Sequence, residues 1–461
     1  MTKLICLELN EVPKEIMELC LSKLSLKDAY YTLKFDKTIS YDKGHLHPWV
    51  TWSSVHRGVN HDKHLISDIN QNCDIQNKLY PTIMDSLSKK GYKVGVFGSM
   101  HSGAVDSKDH KNYSFFVPEC FSSHSICNPK TLIGLQKLNL LMSRSSARVV
   151  SQKLPKISLI IEALISYFRH TYKFRSLFCI FKQFVLEVFS PWKKIRRRIL
   201  QSDILFDVYM NLLRKNNTDF SNFFTNHVAS SMHRFWEAKF PNQYKKNLSS
   251  SKWIKRYKNE IDIAIESSTY YINELIKYVD DQKNAELWII SSMGQAAVQN
   301  YKKSTQFFQI VDMDKFLFSI LEKKVKFEQL NQMIPIYALK SDENTINLIS
   351  EKISSMESNI DIEVSSKTKN TIAFIFNKNS HQIIDQDPFF KTSNKSMSYS
   401  FKGIKKVFVD ENSGSSAYHV PEGILYRYGK NLQDFKKHYD LEGFLPIEKL
   451  KDLMLKTIEK N

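Results

Sequence analysis

Lys3-Leu4-Ile5-Cys6-Leu7-Glu8-Leu9-Asn10-Glu11-Val12-Pro13 decides the fold class. Lys3–Asn10 is an apolar run suited to a buried strand. Pro13 then suits a helix start, and Glu15–Leu24 carries apolar residues at helical spacing. The rhythm recurs downstream. Tyr80–Lys90 reads as a helix stopped by Gly91, and Tyr92–Phe97 as a strand closing in Gly98-Ser99-Met100-His101. Asp219–Thr225 reads as a strand, Glu260–Val279 as a long helix and Glu286–Ser291 as a strand. Phe307–Val311, Thr371–Asn377 and Lys405–Val409 continue as strands, and Ile447–Glu459 as a terminal helix. Alternation of this kind predicts an α/β fold with a mostly parallel central sheet flanked by helices, its chemistry gathered at the carboxyl ends of strands. Ser341–Asn344 and Lys378–Ser400 are polar, turn-prone surface segments.

The rhythm breaks once, which divides the chain into a core over 1–125 and 216–461 and an insertion over 126–215. Ile157–Phe168, Phe174–Phe189 and Lys193-Lys194-Ile195-Arg196-Arg197-Arg198 make this insertion a basic helical cap with aromatics among the cations. Fourteen Lys and Arg face two acids between Thr131 and Leu200, so this stretch carries most of the +18 net charge. A local excess predicts an anionic partner. An anionic membrane surface or a lipid-linked acceptor held by Lys193, Lys194, Arg196, Arg197 and Arg198 comes first. A solvated cap with an apolar inner face is the plainer reading, and nucleic acid ranks last because no nucleic-acid module is recognisable.

A chain of 461 residues, 42% apolar, can bury a large core. It has no uncharged apolar run of about 18 residues, its start reads as a strand and not as a signal peptide, and its six cysteines lack CxxC spacing. The expectation is a cytoplasmic protein with reduced thiols, peripheral at the inner face of the membrane if the basic cap binds there.

Polar residues cluster at the predicted strand ends. Glu8 and Asn10 share one side of the first strand by its period of two, and a carboxylate inside a buried strand is costly unless paired. Glu11 reads as a helix-start acid. His45-Leu46-His47-Pro48-Trp49-Val50-Thr51-Trp52 runs on to Arg57-Gly58-Val59-Asn60-His61-Asp62-Lys63-His64, with five histidines and two tryptophans between His45 and His64. A solvated loop accounts for His45 and His61; it fits His47, His56 and His64 less well. Imidazoles can act as acid, base or phosphate-binding cation, and Trp faces can stack on a ring. Downstream stand Asn226-His227, Met232-His233-Arg234, Ser292-Met293-Gly294-Gln295 and Tyr418-His419.

In order and spacing these segments resemble the alkaline phosphatase superfamily, above all its nucleotide pyrophosphatase/phosphodiesterase branch. Arg57–His64 is similar to its "TG-x-x-P-x-x-H", Ala229–His233 to "D-x-x-x-H", Ser292-Met293-Gly294 to "D-H-G", and His419 with Gly423 to its last metal-binding His and following Gly. The resemblance implies two metals. Here the first set reads Ala229, His233 and His419, and the second Asn10, Ser292 and Met293. The implied nucleophile position falls on Pro48, with Thr51 three residues late. A metal-poor offshoot associated with bacterial surface-polysaccharide assembly is also similar, through Glu8–Glu11, Pro48–Gly58, Gly98–Met100, Asn226–Trp236 and Gly294–Gln295.

Two imidazoles without a carboxylate make a poor metal site. The expectation is therefore a metal-independent transferase, with no cofactor, moving a group from a phosphate-bearing donor such as a nucleotide sugar to a glycan acceptor. Glu8, His47, His233 and His419 would be catalytic. Asn10, Trp49, His56, Ser99, Asn226, His227, Arg234 and Gln295 would bind substrate. Two rivals stand beside it: a phosphoesterase with one divalent metal at His233 and His419 and a carboxylate from an unexpected place, and a non-catalytic scaffold.

Overall fold

The computed structural model describes residues 1–24, 33–42, 44–69, 71–101, 113–122, 124–144, 155–171, 174–301, 306–330, 336–360, 362–376, 389–391, 398–408, 414–430 and 432–459. Its centre is an eight-stranded sheet in the order Leu445–Pro446, Leu33–Ile39, Glu422–Gly429, Ala285–Ser291, Lys3–Leu9, Phe220–Thr225, Val94–Phe97, Phe115–Val117. Lys3–Leu9 lies in the middle, parallel to both neighbours, with Glu8 opposite Phe224 and Ile290. Glu422–Gly429 alone runs antiparallel to its neighbours. Alternate side chains of the first strand enter different cores: Ile5, Leu7 and Leu9 one, Leu4 and Cys6 the other. Burial on both faces is what an uninterrupted apolar run requires, and the mixed α/β, mostly parallel expectation holds.

Several boundaries differ for local reasons. The helix expected over Tyr80–Lys90 spans Ile83–Lys89, beginning after Thr82, whose hydroxyl accepts from the Asp85 amide, and a separate short helix, Asp74–Leu79, precedes it. Asp342 likewise caps a helix over Glu343–Ser355, so Ser341–Asn344 is a helix start and not a plain turn. Gln306–Ile310, Thr371–Phe376 and Ile404–Phe408 are strands, but none joins the central sheet. They pair antiparallel in smaller sheets around a separate core that includes Phe316, Leu339, Ile349 and Phe374. Periodicity marked them as strands and could not choose their partners. Within Lys378–Ser400, Phe389–Lys391 and Ser398–Ser400 form strands; 378–388 and 392–397 lie outside the described residues.

The basic stretch is helical over Ile133–Arg144, Ile157–His170, Phe174–Phe189 and Arg197–Asn216. Its inner residues Leu135, Ala163, Tyr167 and Ile195 belong to the same core as Leu7 and Phe223. Among the described residues no helix is long and apolar enough to cross a membrane. All six cysteines are free.

Candidate metal centre

Glu11 follows the first strand with its backbone in the left-handed region, at φ 57°. That conformation costs a non-glycine residue about 1–3 kcal/mol and is kept where surrounding contacts over-determine it. Here those contacts are two histidines from distant segments. Glu11 Oε2 lies 2.8 Å from His233 Nε2 and 3.2 Å from His419 Nε2. His233 rides on the helix His227–Lys239. His419 comes from the strand Ala417–Val420, which pairs antiparallel with Gly294–Ala297 and sets His419 opposite Gln295. One ligand atom from each of Glu11, His233 and His419 lies within 4.8 Å of the other two.

Each member is held from behind. His233 Nδ1 is 2.9 Å from the Ala417 carbonyl and His419 Nδ1 is 2.6 Å from the Leu46 carbonyl. Carbonyls can only accept, so both rings donate from Nδ1 and present Nε2 to the carboxylate. Glu11 Oε1 accepts from the Asn10 amide at 2.7 Å, and Oε2 also accepts from the Gln295 amide. Asn10 in turn bonds Asn226 at 2.8 Å and accepts from the Trp52 indole at 2.9 Å. Burial would raise the Glu11 carboxyl, but the charges of His419 and His233 and hydrogen bonds from both hold it well below the usual carboxylate range. Burial opposes charge on His419 as well. The Glu11 charge and hydrogen bond, with the Leu46 carbonyl, nevertheless keep it above the ordinary histidine value.

His47 stacks on Trp49 with ring centroids 4.7 Å apart and stands edge-on to His419 at 5.9 Å. Burial, reinforced by His419, lowers its affinity for a proton. These two residues flank the triad, and the Trp49 indole is anchored on the Ser67 carbonyl.

Glu8 does not reach the triad as a free base. It is buried, with Oε1 bonded to His56 Nε2 at 3.0 Å and to the Asn222 amide at 2.9 Å, and Oε2 to the Ser99 hydroxyl at 2.5 Å. A carboxylate with every partner supplied satisfies a buried strand, so Glu8, His56 and Ser99 form a closed layer beneath the site. Its link to the triad is Trp52, stacked on His56 and bonded to Asn10.

His227 is also placed elsewhere. Six residues before His233, it falls on another face of the helix, and its ring lies among Thr225 at 2.7 Å, the Ala264 carbonyl at 3.1 Å and Ser268 at 3.2 Å. It is a buried histidine engaged by the core, apart from the Glu11 triad. His64 is another, bonded to Ser54 at 3.0 Å. Arg234 is buried and donates to Ser230 at 2.8 Å, the hydroxyl that Arg198 also reaches at 3.0 Å. At the positions where the resemblance implied a second metal, Met293 is in the core and Ser292 bonds Thr51 at 2.8 Å. Pro48 is the first residue of the helix Pro48–Arg57.

Burial holds His227 down to about 4, against an ordinary 6.5. Between those values the unfolded chain binds a proton that folded His227 refuses, so stability falls as pH is lowered across that window. His227→Gln is expected to flatten this slope in denaturation series and to cost about 1–3 kcal/mol near neutrality, with metal content unchanged. A loss of bound metal would return His227 to the site.

No family model and no curated protein sequence matches the chain. Among solved structures it is similar to phosphonoacetate hydrolase from Sinorhizobium meliloti 1021, at 11% identity over 99% of this chain and 96% of that one, TM-score 0.40. It is similar to human ectonucleotide pyrophosphatase/phosphodiesterase 5 at 10% identity over 99% and 94%, TM-score 0.39. Alkaline phosphatase from the Antarctic bacterium TAB5 is similar at 10% identity over all of both chains, TM-score 0.34.

Metal-independent transfer without a cofactor rested on a histidine pair lacking a carboxylate, and that premise is overturned. Glu11 supplies the missing carboxylate, within reach of both imidazoles. Glu11 was visible in the sequence as the second acid of Glu8-Leu9-Asn10-Glu11. What periodicity could not show is the left-handed turn that places it beside two residues more than 200 positions away.

Proposed function

We propose that this chain is a phosphoesterase that works with one divalent metal held by Glu11, His233 and His419. The observation that carries this reading is the pair of Nδ1 bonds to backbone carbonyls, which aim both Nε2 atoms at one carboxylate oxygen. Ligand histidines are oriented in this way, and two His with one Glu is an established catalytic zinc set. Bound there, such an ion would polarise a phosphoryl oxygen and bring a coordinated water's pKa to about 7.

The chain's own residues do the positioning. Asn10 and Gln295 hold the two Glu11 oxygens, Leu46 and Ala417 hold the rings, and the Glu8 layer keeps Trp52 and Asn10 in place. His47 and Trp49 offer a stacked aromatic wall beside His419 for the organic part of an ester. The ordered segments similar to the alkaline phosphatase superfamily support a phosphate ester as the substrate.

Elemental analysis of protein purified without chelator is expected to find one zinc or manganese per chain. Hydrolysis of bis(p-nitrophenyl) phosphate should vanish on chelation and return with metal. Metal-free protein that hydrolyses the ester at full rate would overturn the reading, and so would metal that stays bound in His233→Ala.

A further inference from the structure

The two middle helices of the basic stretch expose most of their large apolar residues. In Phe174–Phe189 the residues turned inward include Ser176 and Gln183, while Phe178, Phe181, Phe184, Val185, Val188 and Phe189 are exposed, the last two at 76% and 82%. At 3.6 residues per turn these six fall on one stripe about 140° wide. The buried polar residues are satisfied: Ser176 bonds Asp207, and the Gln183 amide bonds Glu187 and the Lys193 carbonyl, each at 2.8 Å. Ile157–His170 repeats the pattern. Ala163, Ser166, Tyr167 and His170 face inward, and Ile157, Ile161, Leu164, Ile165 and Phe168 face out at spacings of four, three, one and three. A solvated cap would show the opposite polarity.

The charges around these stripes are mainly positive. Lys156, Arg169 and Lys182 are exposed beside them, and Lys193 follows in the turn Pro191–Arg196. The one acid on each of these two helices is paired, Glu162 with Lys137 at 3.2 Å and Glu187 with Arg197 at 2.5 Å. Arg196 is likewise engaged, on Glu260 at 2.6 Å, so Arg196 and Arg197 are structural and not the anion contacts expected from sequence. Helices too short to span a bilayer, apolar on the outer face and cationic at its edges, match the requirements of an interfacial helix on an anionic membrane. A second copy would bring one strongly basic face against another.

We propose that Ile157–His170 and Phe174–Phe189 dock the protein on an anionic lipid surface, with the two stripes entering the headgroup boundary. The metal-site reading is not needed for this proposal. Flotation of the full-length protein with vesicles of phosphatidylcholine, with and without phosphatidylglycerol, tests it. Binding is expected to require the anionic lipid and to weaken with salt. A triple variant, Phe181→Gln with Val185→Gln and Val188→Gln, should bind more than about 100-fold less tightly, each lost apolar side chain costing roughly tenfold. Because the changed residues are exposed, its thermal midpoint and metal content should equal wild type; Ile161→Gln with Ile165→Gln is the independent second variant. Wild-type protein that ignores anionic vesicles overturns the proposal, as does binding that survives both variants. Self-association abolished by the same changes, without vesicle binding, or capture of an acidic soluble protein in place of lipid, also overturns it.

Discussion

Glu11→Gln is expected to release the metal and to lower phosphodiester hydrolysis more than about 100-fold, because loss of even an outer partner of a metal ligand typically costs 10–100-fold. Size and planarity are conserved, so Asn10 and Gln295 keep a neighbour of the same shape. What disappears is the negative charge that faces His233 and His419 at 2.8 and 3.2 Å. An amide cannot replace a carboxylate in that role. Two comparisons locate the effect. Asn10→Ala removes a support of Oε1 and should weaken metal binding by about 10–100-fold. Glu8→Gln, in the closed layer with His56, Asn222 and Ser99, should lower stability while metal stays bound. Calorimetric metal titration beside an activity assay reads all three. Glu11→Gln protein that binds metal as tightly as wild type would remove Glu11 from the site.

The largest expected loss of stability is at Arg427. It is fully buried in the antiparallel strand Glu422–Gly429, with Nε 2.8 Å and Nη2 2.7 Å from Oδ2 of buried Asp36 in the neighbouring strand. Nη1 donates to the Gln433 carbonyl at 2.7 Å, the guanidinium lies 3.7 Å from the Phe435 ring, and Tyr439 donates to the other Asp36 oxygen. Arg427→Met strands Asp36 as an uncompensated buried charge, which costs about 3–5 kcal/mol. Replacing both partners, Arg427→Met with Asp36→Leu, removes the stranded charge and should recover much of that loss. Urea denaturation of the three proteins checks the ordering. A double variant no more stable than Arg427→Met would show that the hydrogen bonds to Gln433 and Tyr439 carry the energy.

Local signals and long-range ones fared differently along the chain. Leu4–Leu9 is apolar at every position but Glu8, and such a run suits a central strand covered on both faces, where it lies. Glu422–Gly429 was legible only as part of a motif, and nothing local marks a single antiparallel strand inside a parallel sheet. His233 and His419 were singled out because their spacing resembled a known site. His227 was singled out with them and belongs to the core, since residue type does not reveal which face of a helix packs inward. The basic stretch was read as helical and cationic, with an apolar inner face as the plainer alternative. Its amphipathic period was present in the sequence, but period does not say which side of the stripe meets solvent.

Composition and periodicity by themselves determined the α/β class, the helices of the basic stretch and its charge, because each follows from local preference or from counting; the order and spacing of motifs marked His233 and His419. Only the tertiary structure decided that Glu11 completes their site and that Glu8 does not. It also decided that two helices of the basic stretch turn apolar stripes outward. Those outcomes depend on where distant strands and helices come to rest against one another. A left-handed residue at 11, a strand pairing at 419 and a helix face at 233 converge only after the chain has closed around its core.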